Sequence, residues 1–403
     1  MKYKYPLQKY PWSFLDRLKI ASFVLNPSNR LTMGQKVKQY EKCFEDFYGG
    51  LFDGLRAVAV TSGSQANDLL FQTWIEAKNI NIQDATFFAN CTTWSSNLSP
   101  ILIRGGKIEL IDINRHDLSM DYGKLESSLK KSKSPIKVIW VTALIGFSPN
   151  MDKLQSLARK YGCELFGDLC ESSFSKWRGK YLVEYFDMST TSSFLAHFTS
   201  SIEGGMLFIS QPHPYPTIAH TYHTVAQLCR SHGLTRCLPQ SNTTKIKAEK
   251  DNPDIDPEFL FQHVGTNQRL SEIHALYGIL DFKRVPKYLK NRKYLWDYFL
   301  QNLSDSYYKD FSEKVCPFCI PIISDELNVK DIKEALNEHG WETRPIICDM
   351  SAAPAYKFLA GRKKYLNSGW LSSNGCYTGL SNNLKIQDVD QLLDILNNVK
   401  LPL

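Results

Sequence analysis

From about residue 55 to residue 210, short apolar runs alternate with helical patterns. "AVAV" precedes "SQANDLLFQTWIEA", "ATFFA" precedes "NLSPILIRGG", "KIELIDI" follows, "KVIWVTALI" precedes "MDKLQSLARKYG", and "ELFGD" closes the series. The runs are continuously apolar and rich in β-branched residues, the pattern of strands covered on both faces. Strand–helix alternation of this kind predicts a largely parallel sheet between two helical layers, a three-layer α/β/α domain. Ligands of such a sheet gather at the carboxyl ends of its strands, where loops lead into helix N-termini. The polar stretch "PQSNTTKIKAEKDNPDIDPE", residues 239–258, has a loop's composition and marks a boundary. The expected division is a large domain over residues 1–245, N-terminal segment included, and a small C-terminal domain over residues 246–403. In the latter, "RLSEIHALYGILDFKRV" and "VKDIKEALNEHG" read as helices and "CIPII" as a strand, which predicts an α+β unit.

Composition narrows the classes of function. With 403 residues, 43% of them hydrophobic, the chain can bury a large core. Its formal charge of +7 is the balance of 48 basic and 41 acidic residues scattered along the sequence, with only short runs such as Arg362-Lys363-Lys364. That balance suits an anionic small substrate, and no basic stretch interleaved with aromatics points to nucleic acid. "MKYKYPLQKYPWSF" has no apolar run of secretory length, and no segment approaches the roughly 20 apolar residues of a membrane helix, so a cytoplasmic protein is expected. The ten cysteines lack the dense spacing of a disulfide frame. Cys316-Pro317-Phe318-Cys319 has a C-x-x-C form, but it lies in the strand-like "VCPFCIPII" without a second pair, and is read as structural.

Four features carry chemistry. "VTSGSQAND" places Ser62-Gly63-Ser64 between a strand and a helix, where free N–H groups and hydroxyls make a phosphate cradle, or simply a helix cap. In "ELFGDLCES", Asp168 ends an apolar strand; a buried carboxylate there can pair with a protonated pyridine nitrogen, or cap the next turn. Trp94 of "CTTWSSNLSP" can lie flat on a cofactor ring, or belong to the core. The fourth is His197, which stands seven residues before Gly204-Gly205 in "SSFLAHFTSSIEGG".

Taken together, "SGSQAN", "GFSPNMD", "GDLCES", "SSFLAHFTSSIEGG", "RSHGLTRCLP" and "VGTNQRLSEIHALYGI" follow the order and spacing of the DegT/StrS sugar-nucleotide aminotransferases. That family is a fold-type-I pyridoxal-phosphate group, and the resemblance runs from "TMGQKVKQYE" to "WETRPIICDMSAAPAYKF". The family's cofactor-binding lysine sits six residues before the glutamate of the E-G-G triplet, a seat that His197 occupies before Glu203. The chain therefore resembles the branch in which histidine replaces lysine, the sugar 3-dehydratases, and most of all those acting on GDP-4-keto-6-deoxymannose.

The resemblance implies pyridoxal 5′-phosphate and pyridoxamine 5′-phosphate as cofactors, a nucleotide sugar and L-glutamate as substrates, and removal of the sugar's C3 hydroxyl with release of ammonia. His197 would be the acid–base residue. Asp168 would face the pyridine nitrogen, Glu171 the ring hydroxyl and Trp94 the ring face, with Gly63, Ser64 and Ser192 on the phosphate. Asn267 would reach in from a second subunit, which implies a homodimer with shared active sites. Arg236 would bind the carboxylate of glutamate or the diphosphate, or else form a surface salt bridge. Two positions depart from the pattern: Phe198 stands where a second histidine is usual, and Gly167 where an acidic residue is. The alternatives are an aminotransferase acting on another 4-keto sugar, an iron–sulfur dehydratase using Cys170, Cys229 and Cys237 but lacking that branch's C-x-C pair, and a decayed sugar-nucleotide-binding protein.

Overall fold

The computed structural model describes residues 3–49, 54–210, 216–311, 316–347 and 349–399. Two helices, α1 (Phe14–Leu25) and α2 (Gln35–Gly49), precede the first strand. Strand–helix units then follow: β1 (Arg56–Val60), α3 (Gly63–Lys78), β2 (Ala85–Asn90), α4 (Ser99–Ile103), β3 (Lys107–Ile111), α5 (Tyr122–Lys131), β4 (Ile136–Thr142), α6 (Met151–Tyr161) and β5 (Cys163–Asp168). A short hairpin, β6 (Lys176–Trp177) and β7 (Lys180–Tyr181), leads to β8 (Met188–Ser192) and β9 (Gly205–Ile209).

Seven of these strands form one sheet in the order β1-β9-β8-β5-β4-β2-β3. The run β8-β5-β4-β2-β3 is parallel throughout, and only β9 lies antiparallel to both its neighbours. Successive apolar residues of the strands divide between two cores. Ala57, Ala59, Phe88, Ile139, Val141, Leu165 and Phe208 enter one, whereas Val58, Val60, Phe87, Val138, Trp140, Phe166 and Leu207 enter the other. This is the period-two alternation of a sheet with no solvated face, and it explains why the strands read as unbroken apolar runs. Helix α2 supplies Val37, Tyr40, Phe44 and Tyr48 to the first core, and α3 supplies Ala66, Leu69, Leu70 and Trp74 to the second. The expected three-layer α/β architecture is present.

The boundary is where structure and sequence differ. Residues 239–258 are not one loop: Asn242 caps helix α8 (Thr243–Asp251), whose lysines, alanine and glutamate are good helix formers. Polar composition had masked a short, largely solvated helix. Helix α7 (Pro216–Arg230) precedes it, and α9 (Glu272–Phe282) follows and packs on α2 of the large layers. A separate unit begins only with α10 (Val285–Asn302). It holds the antiparallel sheet β10 (Cys319–Ile323), β12 (Gly375–Gly379) and β11 (Thr343–Pro345), with α11 (Val329–Glu338), α12 (Leu366–Asn374) and α13 (Ile386–Asn397). Its Ile320, Ile322, Leu295 and Leu392 belong to the same core as α2 and β4, so the two units share one apolar interior.

The strand expected over "KVIWVTALI" stops at Thr142, because Ala143–Phe147 turns, with the Phe147 amide donating to the Leu144 carbonyl at 2.9 Å. The segment Cys316–Phe318 docks on this turn: the Cys316 and Phe318 amides donate to Gly146 and Ile145 carbonyls at 3.0 and 3.3 Å. Gly146 has φ +95, and a Cβ there would overlap the Cys316 carbonyl oxygen. Gly162, at the end of α6, also has positive φ, +62, but nothing lies within 4 Å of its Cβ position. Gly162→Ala is expected to cost about 1 kcal/mol, the backbone term alone. Gly146→Ala adds a steric overlap with backbone and is expected to cost on the order of 2–4 kcal/mol in urea unfolding. Equal losses at the two sites would show that the Cys316 strap yields freely.

Candidate active site

The register of the sheet assembles the site. Thr142 pairs with Asp168, Asp168 with Thr190, Ser192 with Gly205, and Gly205 with Val60, so the ends of β4, β5, β8 and β1 share one edge with the start of β9. At this edge lies a cavity of about 350 Å³ whose lining includes Gly63, Ser64, Trp94, Asp168, Glu171, Ser192 and His197. Seven of the nine residues expected in the site therefore come together. The small unit closes the cavity with Phe318, Ile347 and Tyr377.

Asp168 is buried, and its two oxygens are held differently. Oδ1 accepts the Cys170 amide at 2.8 Å, so the turn-capping alternative is realised. Oδ2 accepts the Asn67 side-chain amide at 3.0 Å, and Asn67 is itself bonded to Asn97 and Thr190. Asn67 is fully buried on the inner side of α3 and escaped the sequence reading; its only sign was a polar residue at a core-facing position of "SQAND". Trp94 is 58% exposed beside the cavity, which excludes the core alternative. Gly63 opens α3 beneath the Ser62 cap, and a Cβ there would stand 2.8 Å from Ser192 Cβ and 3.0 Å from Cys170 Sγ. The helix N-terminus, the Ser64 and Ser192 hydroxyls and the close-packed Gly63 form a donor set suited to a phosphate. A carboxylate and an open indole complete a set that fits a phosphorylated pyridine.

His197 Nδ1 lies 2.8 Å from the Cys170 carbonyl. A carbonyl only accepts, so Nδ1 carries the proton and Nε2 holds the lone pair of the neutral ring. Phe318 packs on the imidazole with centroids 5.3 Å apart. Burial pushes the ring's pKa down to about 4; the Cys170 carbonyl and Asp168 oppose this, and the Arg292 cation adds to it. Glu171 behaves in the opposite sense. Burial pushes it up to about 7 against the Ile145 amide, which donates to its Oε2 at 2.9 Å, and Asp168 adds to the rise. Both side chains touch the cavity but are otherwise enclosed by protein, and each favours its uncharged form.

The two remaining expected residues do not line this chain's cavity. Arg236 is exposed and pairs with Glu258 at 3.2 Å, the salt-bridge alternative. Asn267 lies exposed, bridged through its backbone to Ser231. Of the two departures, Gly167 backs directly onto Phe186, whose ring would stand 2.8 Å from any Cβ, and Phe198 is buried beside Phe174 and Phe318. Phe318, Ile347 and Tyr377 had no legible sequence signal, since only the docking of the small unit brings them to the strand ends.

Residues 20–397 match the DegT/DnrJ/EryC1/StrS aminotransferase family. The chain belongs to that family. Similar relatives include the GDP-4-keto-6-deoxy-D-mannose 3-dehydratases of Escherichia coli O55:H7, 28% identical over 97% of this chain and 99% of that one, and of Yersinia pseudotuberculosis, 26% identical over 98% of each. The E. coli enzyme solved with bound hydrated PLP superposes with a TM-score of 0.83 at 25% identity, covering 98% of this chain and 99% of that one. A GDP-4-keto-6-deoxymannose 3-dehydratase with a trapped PLP-glutamate geminal diamine gives a TM-score of 0.85 at 25% identity, covering 98% and 100%. The fold is thus that of the PLP-dependent aminotransferases.

The opposed shifts of Glu171 and His197 give a test of the cavity's electrostatics. Glu171 is raised from 4.5 to about 7, so its stabilising contribution is full below about pH 4.5 and lost as pH rises through 7. A glutamine at this position would carry no such loss. The stability of Glu171→Gln relative to the parent is expected to rise by roughly 1–3 kcal/mol between pH 5 and pH 8 in urea unfolding. A difference that stays constant across that range would show that the carboxyl titrates at its ordinary value.

Proposed function

We propose that this protein is a PLP/PMP-dependent sugar-nucleotide 3-dehydratase, acting on GDP-4-keto-6-deoxymannose with glutamate as amino donor. The observation that carries the reading is His197. An imidazole with its Nδ1 proton committed to the Cys170 carbonyl stands at the cavity where an aminotransferase of this family keeps a lysine amine. Imidazole has no primary amine and so forms no lasting covalent link to the cofactor aldehyde.

Pyridoxamine phosphate, when bound, supplies the amine that condenses with the C4 ketone and a ring that withdraws electrons. The protein's part is positioning and proton transfer. Gly63, Ser64 and Ser192 would hold the phosphate and Trp94 the ring, and Asp168, fixed by Asn67 and the Cys170 amide, would pair with the pyridine nitrogen. His197 Nε2, neutral above about pH 4, accepts a proton as a base and returns one to the departing C3 hydroxyl. The balance is one sugar hydroxyl replaced by hydrogen, one glutamate converted to 2-oxoglutarate and one ammonia released.

The test is mass spectrometry of the sugar nucleotide, with ammonia assayed in parallel, after incubation with PLP, glutamate and GDP-4-keto-6-deoxymannose. Loss of one oxygen from the sugar with one ammonia per turnover is expected, and His197→Asn should lower the rate by roughly 10²–10⁴-fold. A stable amino sugar would identify an aminotransferase instead, and an unchanged sugar with no glutamate turnover would leave a binding protein.

The same reading includes a homodimer in which Asn267 serves the partner's cavity; Arg236 lies in the same part of the chain, in its salt bridge with Glu258. Exposed Phe259, Phe261 and Val264 lie near these two residues in the chain, an apolar surface that a second subunit would cover. Mixing inactive His197→Asn with inactive Asn267→Ala subunits is expected to restore about a quarter of parental activity, because half the dimers then hold one intact site of two. No recovery after subunit exchange would mean that a single subunit supplies both residues to each site.

A further inference from the structure

Arg292, in the middle of α10, is 1% exposed, and no carboxylate forms an ion pair with it among the described residues. Its guanidinium is instead spent on two loops. Nη1 donates to the Phe318 and Pro317 carbonyls at 2.7 and 3.3 Å, and Nε donates to Asn382 Oδ1 at 2.8 Å. The same guanidinium stands 5.2 Å from the centre of the Phe198 ring, the residue after His197. Burial lowers its pKa to about 10, which leaves it charged at neutral pH. A buried cation of this kind is costly and is retained only where its hydrogen bonds are made.

The loop it holds through Pro317 and Phe318 touches both titrating groups of the cavity. Phe318 packs on the His197 imidazole, and the Phe318 amide donates to the carbonyl of Ile145, whose own amide donates to Glu171. We propose that Arg292 is a positioning residue for the reaction: it clamps the Pro317–Phe318 backbone so that Phe318 is held on His197 and Ile145 on Glu171. Phe198 forms the other jaw of the clamp, which gives a physical role to one of the two departures from the family pattern. A histidine there would offer Arg292 a titratable neighbour in place of an aromatic face.

The inference rests on His197 as the acid–base residue. Among the described residues, the titratable groups facing His197 are Asp168 at the end of β5, Cys170 and Glu171 after it, Glu203 before β9, Tyr377 on β12 and Arg292 on α10. Arg292 is the only cation in that set, so its removal shifts the imidazole toward protonation, whereas Arg292→Lys keeps the charge and loses the planar fork.

The experiment follows labelled histidine by NMR against pH in the full chain without cofactor, with His197→Asn assigning the resonance. It also measures glutamate conversion to 2-oxoglutarate with added PLP, at a temperature where melting curves show each variant folded. Arg292→Met is expected to raise the His197 titration by about half a pH unit, and Arg292→Lys to leave it near the parent. Both should lower kcat roughly tenfold with KM for glutamate little changed. A folded Arg292→Met with the parental titration and kcat overturns the inference, as does a variant whose only change is a lower Tm. If Arg292→Met fails to fold, Arg292→Lys decides: parental kcat overturns the clamp and a tenfold loss supports it. A parent inert toward glutamate overturns the proposed function, and the His197 titration then decides the role of Arg292 independently.

Discussion

A sheet buried on both faces has room for polar chemistry only at its ends. In this protein most interior positions of the seven strands belong to one of two apolar cores, and the groups that titrate or bind stand where strands stop. The register then does the placing. Because β4, β5 and β8 run parallel and β9 returns between β8 and β1, Thr142, Asp168, Ser192 and Gly205 are set side by side without any long loop having to find its place.

The polar edge is rigid for a second reason. Asp168 is anchored from both sides by Asn67 and its own turn, and His197 has one nitrogen bound to the same turn through the Cys170 carbonyl. Acid, base and helix N-terminus therefore share supports, and a shift of the Asp168–Glu171 turn would be felt by all of them. The opposite pKa displacements of His197 and Glu171 follow from a common cause: enclosure penalises charge, which for a histidine means a lowered pKa and for a carboxyl a raised one. Such a site keeps a neutral base available throughout the neutral pH range.

The second unit contributes control of shape. Phe318 and Tyr377 complete the cavity wall, and the strap Cys316–Phe318 lies between the Ile145–Gly146 turn and Arg292. The C-x-x-C segment, which resembles a metal or redox motif as text, is built into this strap: its second cysteine begins β10, and burial pushes both thiols up, away from reactivity at neutral pH.

Much of this was legible beforehand, for reasons that can be located in particular residues. Strands and helices between residues 55 and 168 follow from local apolar periodicity, which also marks the element ends at Gly63 and Asp168, whereas Ser192 and His197 were singled out by the resemblance to the family. Helix α8 was missed because a solvated helix has no apolar stripe to announce it, and α9, on the C-terminal side of the division at residue 245, packs on α2. The sequence by itself determined the layered architecture, the edge at which chemistry would occur, and the absence of an amine at residue 197, all of which depend on residue type and short-range spacing. Only the tertiary structure decided which nitrogen of His197 is free, that Asn67 holds Asp168, and that Arg292 and Phe318 reach the site. Those depend on contacts between residues far apart in the chain, and side-chain direction at such contacts is set by packing rather than by local pattern.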